Sequence, residues 1–180
     1  MSATKTAIDT KKINLGPCKV TFGGVELGRT EGETTFTFTT EYRTQSTEED
    51  GEVMDIVTNH SCTVEMPIIY SDPESVAVSV PWATLTTDST AGESKLEVGS
   101  AIGQVMNDYA DELIIHPLAL DDDDLSADIK LGSAYPMPQD LTFSHGREST
   151  RTTNTMFKAE TDTDTNGNYF ILGDPSITAL

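Results

Sequence analysis

The residues best suited to chemistry lie near the carboxyl end, in the stretch DTDTNG. Four of them occupy the first signature places of a calcium-binding loop: Asp162, Asp164, Asn166 and Gly167. Such a loop also needs a bidentate glutamate at its twelfth place and a helix on each side. Here the twelfth place is a glycine, and the flanking residues alternate as strands. Asn-Gly between strands is by itself a hairpin turn, so the pattern favours a turn over a metal site.

Two other groups of titratable residues could be drawn as sites. Asp121 to Asp124 cannot all converge on one cation without a tight loop, so a solvated acidic connection is the better interpretation. The histidines, His60, His116 and His145, are far apart in strand-like runs. His145 with Asp140 and a serine could be drawn as a triad, but no Gly-x-Ser-x-Gly elbow presents the serine. We therefore predict no catalytic residue, no cofactor and no enzyme.

Charge and composition limit the possible partners. The 180 residues carry 30 acidic and 11 basic side chains, a net charge of −19. Such a surface repels nucleic acid, so we do not expect sequence-specific DNA binding. We expect no membrane-spanning segment and no secretory signal, and hence folding in a cytoplasm. Cys18 and Cys62 have no metal-ligand spacing and are expected to be small core residues.

Alternation of apolar and polar residues with period two dominates the chain and predicts a mainly β fold. Gly23-Gly24 between two alternating runs predicts a β-hairpin over 19–28. The runs 154–162 and 168–174 predict a closing hairpin around DTNG. Further strands are predicted at 33–40, with its return partner at 52–58, and at 60–69, 96–105, 113–120 and 140–146, and a strand with a break is predicted at 127–136.

Residues 71–85 are the best helix candidate. Ser71 and Glu74 fit a capping box, Pro73 suits a first turn, and Pro81 would end the helix early. Residues 1–14 are polar without a period and are predicted as a flexible N-terminal arm. The predicted fold is therefore a single domain over 15–180, a β-sandwich or small barrel with one flanking short α-helix.

The Thr/Phe strand at 33–40 has two distinct faces. Alternation is expected to send Phe36 and Phe38 into the core. The opposite face of this strand carries Thr35, Thr37 and Thr39, and the wet face of the 60–69 strand carries Ser61, Thr63 and Glu65.

After this strand the chain loses its apolar alternation, and residues 41–52 are predicted to form a long polar loop. Long unpatterned loops are uncommon in small domains and are usually functional or disordered. Its polar members include Glu41, Arg43, Gln45, Glu48, Glu49, Asp50 and Glu52.

Read in order, several segments resemble the major tail tube proteins of long-tailed, non-contractile bacteriophages. The similar features are the polar arm, the start INLGP at 13–17, the hairpin VTFGGVELGRT at 20–30, the Thr-rich strand that enters an acidic loop, and the closing segment 140–176. The resemblance covers most of residues 13–176, and the stretch 86–125 departs most from it.

This resemblance implies a β-barrel-like sandwich that stacks as six-fold rings into a hollow tube. It implies as partners other copies of the chain, a tape-measure protein, a tail terminator and tail-tip proteins, in a virion tail assembled in the bacterial cytoplasm. DNA would pass through without sequence-specific binding, along an acidic wall that lets it slide. The loop 41–52 would reach the next ring. Either polar strand face would line the lumen or lie on the outer surface.

Other function classes remain open on the sequence alone. A calcium-binding β-sandwich adhesin or interaction module would need a genuine ion site at DTDTNG. A β-rich hydrolase from a salt-adapted organism would account for the acidity but lacks a nucleophile motif. A tube subunit of a related secretion system or gene-transfer device has the same sequence features as a phage tail subunit. A self-assembling structural subunit is the favoured class.

Overall fold

The protein is described here by a computed structural model, which covers residues 17–30, 33–49, 51–68, 72–137, 153–161 and 167–177. The predicted arm at 1–14 and the predicted strand at 140–146 lie outside these described residues. The strands are β1 (Cys18–Phe22), β2 (Val25–Arg29), β3 (Thr35–Thr47), β4 (Gly51–Ile68), β5 (Thr84–Asp88), β6 (Glu93–Glu97), β7 (Asp111–Pro117), β8 (Ile129–Met137), β9 (Thr153–Ala159) and β10 (Ile171–Leu172), and the helix is α1 (Pro73–Ser79).

Eight of the strands form one large antiparallel sheet, which confirms the predicted mainly β, sandwich-like fold. Its order is β2-β1-β7-β8-β9-β4-β3, with β10 paired to β8, and β5 and β6 form a separate two-stranded sheet. A bridge between Thr30 and Ile68 joins the chain just after β2 to the end of β4. Because β2 and β4 are far apart in the strand order, this bridge means that the sheet curls back on itself.

The core lies on one face of this curled sheet. Its fully buried members include Val20, Val64, Leu113, Leu131 and Phe157, which come from five different strands. Burial of side chains at alternate positions is what the period-two pattern predicts. The inward set predicted on β4 is confirmed: Cys62, Val64, Met66 and Ile68.

The first predicted hairpin is also confirmed. β1 and β2 meet at Gly23 and Gly24, whose φ angles are +54° and +76°. L side chains rarely adopt such backbone conformations. A Cβ atom at Gly23 would in addition lie 2.8 Å from the Oδ2 atom of Asp111, so this turn requires glycine.

The start of α1 differs from the predicted capping box. The N-cap is Asp72, whose Oδ2 atom accepts a hydrogen bond from the backbone N–H of Ser75 at 3.1 Å. An aspartate at this position satisfies one of the free N–H groups of the first turn, so a box built on Ser71 is not needed. Pro73 follows the cap, as predicted.

The helix is short and packs by one face against the large sheet. Val76 is buried, and Val78 packs against the core. The Ser79 Oγ and Thr155 Oγ1 atoms lie 2.6 Å apart, which ties the end of α1 to β9. The helix ends before Pro81, whose ring cannot continue a helix.

Two predicted strands near the middle of the chain have different outcomes. The strand predicted at 113–120 is confirmed as β7, with Leu113 and Ile115 buried. The strand predicted at 96–105 is wrong beyond Glu97, where β6 ends. The following residues include two glycines, and Gly103 has a φ of +83°, which interrupts an extended chain.

The strand predicted with a break at 127–136 is β8, and its break is a bulge. Leu113 of β7 pairs with Leu131, whereas Asp111 pairs with Ala134, so β8 has one extra residue in this interval. The irregular stretch Gly132-Ser133 lies there. A bulge absorbs the extra residue without ending the strand.

The predicted closing hairpin is wrong in its pairing. β9 forms as expected but pairs with β4 on one side and β8 on the other. With both edges of β9 occupied, β10 pairs instead with β8, through Ile171 with Lys130 and Leu172 with Ile129.

Candidate functional site

The longest element pair in the structure replaces the predicted polar loop. β3 and β4 pair from Thr35 with Glu65 to Thr47 with Gly51, and the chain turns at residues 48 and 49 after β3. The prediction of a loop over 41–52 is therefore wrong, because most of this segment lies in paired strands. The physical reason is that cross-strand backbone hydrogen bonds do not require alternation when both faces of a ribbon meet water. The Thr/Phe strand at 33–40 also pairs with 60–65 rather than with 52–58.

Two bulges divide this hairpin. Glu41 pairs with Asn59 but Tyr42 pairs with Val57, which leaves Thr58 as the extra residue of the first bulge. The second bulge, between Gln45 and Ser46, gives β4 an extra residue at Val53. We call residues Tyr42–Val57 the arm. Bulges bend a strand and increase its twist, so the first one marks where the arm leaves the body of the sheet.

The predicted loop residues are distributed along the arm and its base. Glu41 lies at the first bulge, where its Oε2 atom accepts a hydrogen bond from Asn59 at 3.4 Å. Three of the others are paired within the ribbon: Arg43 lies opposite Ile56, Gln45 opposite Met54, and Glu52 opposite Ser46. Glu48 and Glu49 are exposed in the turn, and Asp50 lies outside the described residues.

The arm also exposes large apolar side chains that the sequence prediction missed. Tyr42 is 67% exposed and its cross-strand partner Val57 is 54% exposed. Met54 and Ile56 are exposed on the opposite face of the ribbon. The missed signal was Tyr42 itself together with the run VMDIV at 53–57, which carries apolar residues on both faces. Contiguous exposed apolar patches are typical of surfaces that contact a partner, so these side chains are candidates for such a surface.

Aromatic rings brace the base of the arm. The Phe38 and His60 rings stack with centroids 5.3 Å apart, and Phe170 meets Phe38 at 5.4 Å. The His60 Nδ1 and Thr40 Oγ1 atoms lie 3.1 Å apart. The expectation that Phe38 enters the core is wrong, because its side chain is 40% exposed at the rim. Phe36 does pack against the core, although it is only partly buried.

The two polar sets that were predicted as separate candidates form one surface. Thr35 pairs with Glu65, Thr37 with Thr63, and Thr39 with Ser61, all on the face opposite the core. We call these six residues the threonine face. On the next strand, Lys158 pairs with Thr63 and Met156 with Glu65, so they extend the same face across β9.

The histidines do not come together. His116 and Asp128 form a buried pair, with Nδ1 and Oδ1 2.6 Å apart, and the buried Nε2 atom of His116 has no hydrogen-bond partner among the described residues. His60 lies in the aromatic base of the arm, and His145 and Asp140 lie outside the described residues. Where the structure describes the chain, no three His, Cys, Asp or Glu side chains are grouped so that they could hold a metal ion.

Two acidic segments were considered as ion sites, residues 121–124 and 162–167. Asp121 to Asp124 lie in an exposed connection, and the Oδ1 atom of Asp124 accepts a hydrogen bond from the Ser126 N–H at 3.1 Å. Of the predicted ion loop, Asp162, Asp164 and Asn166 lie outside the described residues. Gly167 has a φ of +76°, which suits a turn.

The cysteines are buried free thiols, as predicted. Burial raises the pKa of the Cys62 thiol to about 11, because a low-dielectric environment disfavours the charged thiolate. A thiol in this state is a poor nucleophile.

In the described ranges, none of the helices has the length and apolar character needed to cross a bilayer. No family model matches the chain, and no curated protein matches it as a relative.

Proposed function

We propose that this chain is a structural subunit that polymerises as stacked, six-fold rings into the tail tube of a long-tailed, non-contractile bacteriophage. The observation that carries the proposal is the arm, a two-stranded ribbon with exposed apolar residues on both faces. A lone two-stranded hairpin is marginally stable in water, and exposed apolar area favours burial against a partner. Contact between copies would bury Tyr42, Met54, Ile56 and Val57.

The position of β3 supports assembly through the backbone as well. β3 lies at one end of the sheet order, so its outer edge has no strand partner among the described residues. The edge runs for 13 residues from Thr35 to Thr47. An edge of this length presents unpaired N–H and C=O groups that can pair with another chain.

The threonine face supports a role as a channel lining. It is short-chained and polar, with hydroxyl groups on five of its six residues and a carboxylate on the sixth. Duplex DNA carries one negative charge per about 1.7 Å of axis and binds tightly to basic surfaces. The six residues are neutral or acidic, although Lys158 on the next strand is a basic neighbour. Such a wall, in a chain with a net charge of −19, would let the duplex pass without holding it.

The other parts of the proposal follow from the sequence resemblance. The tube would form around a tape-measure protein, end at a terminator and join tail-tip proteins. The subunit would be made in the bacterial cytoplasm and would function in the virion tail, with no cofactor and no catalytic activity.

The direct test is negative-stain electron microscopy of the purified protein at high concentration, alone and after co-expression with its tail partners. Rings or tubes of uniform diameter are the expected result. Sedimentation velocity over the same concentrations should show polymer growth. Protein that stays strictly monomeric at every salt concentration and forms no tubes with its partners would overturn the proposal.

A further inference from the structure

An open cleft of about 290 Å³ lies where the arm joins the sheet. Its walls come from β4, from the end of β9 and from the segment before β10. The residues that matter for binding are Asn59, His60, Lys158, Glu160 and Tyr169. The cleft therefore combines hydrogen-bonding groups, an aromatic ring and one lysine.

Lys158 differs from most lysines that the structure describes. Lys19, Lys95 and Lys130 each form an ion pair with a glutamate, at 3.6, 2.9 and 2.5 Å. Lys158 is half-buried and has no ion pair with any described residue. A partly buried lysine outside any described ion pair is a candidate to bind an anion from another molecule.

Among the described residues that line the cleft, one carboxylate, that of Glu160, takes part in a hydrogen bond to another part of the chain. The Asn107 Nδ2 group donates a hydrogen bond to the Oε2 atom of Glu160. This contact holds Glu160 toward the 3₁₀ turn at Met106–Tyr109. Among the described residues, the cleft thus has a lysine outside any ion pair and a neighbouring carboxylate that is hydrogen-bonded to another residue.

The tip of the arm has the complementary charge. Glu48 and Glu49 are exposed there, and the sequence adds Asp50 and Glu52. The tip cannot reach the cleft of its own chain, because Asn59 and His60 lie at the base of the arm. The seven β3 residues from Glu41 to Thr47 carry the tip roughly 20 Å away from that base.

We propose that the cleft at Lys158 binds the acidic arm tip of a second copy of this chain. The inference rests on the proposed function and names the receiving surface for the arm. Tip and cleft are different surfaces of the same chain, so the contact is head-to-tail. Contacts of this type propagate from copy to copy and build rings or filaments rather than closed pairs.

The test reverses the charge in the cleft, then the charge at the arm tip, and then both together. Lys158→Glu and the double change Glu48→Lys with Glu49→Lys should each raise the critical concentration for assembly by about tenfold, measured by light scattering at constant ionic strength. The triple variant with all three changes should return to within about threefold of the native protein, because the attraction is restored with opposite signs. Lys95→Glu, on the separate β5–β6 sheet, is the matched control and should assemble normally.

A second measurement detects the contact directly. A carbodiimide joins a lysine to a carboxylate in contact with it, so a mixture of ¹⁵N-labelled and unlabelled protein should give Lys158–Glu48 or Lys158–Glu49 links between copies. Circular dichroism and thermal melting establish that each variant is folded, and Lys158→Met, which keeps most of the side-chain volume, replaces Lys158→Glu if that variant unfolds.

The outcomes separate this inference from the proposed function. If the native protein forms tubes, either of two results would overturn the cleft assignment and leave the tube role intact. In the first, Lys158→Glu assembles like the native protein. In the second, the triple variant does not regain assembly. Cross-links confined within single chains would also overturn it. Native protein that never assembles would overturn the proposed function itself.

Discussion

Tyr42 and Val57 face each other across the two strands of the arm, one residue beyond the bulge at Thr58, and both side chains are more than half exposed. An aromatic and β-branched pair of this kind stabilises a hairpin by about 0.2–1 kcal/mol. Most of the apolar area of the pair still faces water. The proposed assembly would bury it.

Replacing Tyr42 and Val57 with serine should therefore separate folding from assembly. We expect a melting temperature within a few degrees of the native value, because neither residue belongs to the buried core. Assembly should fail, or its critical concentration should rise at least tenfold. A loss of about 1.4 kcal/mol of binding free energy per contact is sufficient for a tenfold change. Sedimentation velocity and electron microscopy provide the measurement. Thr37→Ser, at a surface position outside the arm, is the control, and normal tubes from the double variant would contradict the role of the arm.

Shortening the arm should have the same selective effect. Replacing Thr44–Asp55 with Asn-Gly would join Arg43 and Ile56, which are already paired, through a turn that suits a two-residue hairpin. The shortened monomer should remain folded, with a melting temperature within a few degrees of the native one, because loop length affects closure entropy only weakly. It should form no long tubes on grids.

A shortened protein that unfolded would show that the arm belongs to the folding core. A shortened protein with tubes of native length would show that the arm is only a surface projection. Either result would remove the main support for the proposed function.

The sequence predicted the strand that packs on the core better than it predicted the strands of the arm. On β4, residues 62–68 alternate because one face is buried, and the predicted inward set was correct. On the arm neither face is buried in the monomer, so alternation carries no information about strand content there. The pairing of β10 could not be predicted from the sequence either. A two-residue strand has no period, and its partner depends on which strand edges are free.

The threonine face illustrates the same limit for the candidate site. Alternation identified the polar side of each strand correctly, but only the register of β3 against β4 shows that Thr37 and Thr63 are neighbours. Register depends on the turn, and the chain turns at residues 48 and 49 rather than at residue 41. The sequence therefore supplied the residues of this surface, and the fold supplied their arrangement.

Cys62 predicts a specific loss of stability at alkaline pH. Its thiol has a pKa of about 11 in the folded protein, raised by burial from the ordinary value of 9.0. Below pH 9 the thiol is protonated in both states and its contribution is complete. Between pH 9 and about 11 the unfolded chain loses this proton more readily, so the contribution is lost as the pH rises.

The measurement is urea denaturation of the native protein and of Cys62→Ala at several pH values from 7 to 10.5. Cys62→Ala should be less stable at pH 7, because it leaves a small cavity in the core. The difference between the two proteins should narrow as the pH rises, since the variant has no thiol to ionise. A constant difference would contradict the assignment of the alkaline loss to Cys62.

The turn interpretation of DTDTNG predicts an absence of calcium effects. Adding calcium or the chelator EDTA should leave the melting temperature of the native protein unchanged within error. Asp162→Ala and Asp164→Ala should give the same result, because a turn does not require the carboxylates as ligands. Tight calcium binding in calorimetry that is lost in both variants would instead support the adhesin class.

The buried pair of His116 and Asp128 should be the most sensitive polar contact in the described core. Asp128→Ala removes the partner of a buried imidazole and should cost about 3 kcal/mol, because the remaining polar group keeps its desolvation penalty without its hydrogen bond. For a chain of this size that loss lowers the melting temperature by roughly 6–12 °C.

Asp128→Asn keeps an acceptor oxygen in the same position and should cost clearly less. Asp122→Ala, in the exposed acidic connection, should change stability by less than about 0.5 kcal/mol. If Asp128→Ala proved as mild as Asp122→Ala, the 2.6 Å contact would not contribute to stability, and the segment before β8 would be held by its backbone hydrogen bonds and apolar neighbours.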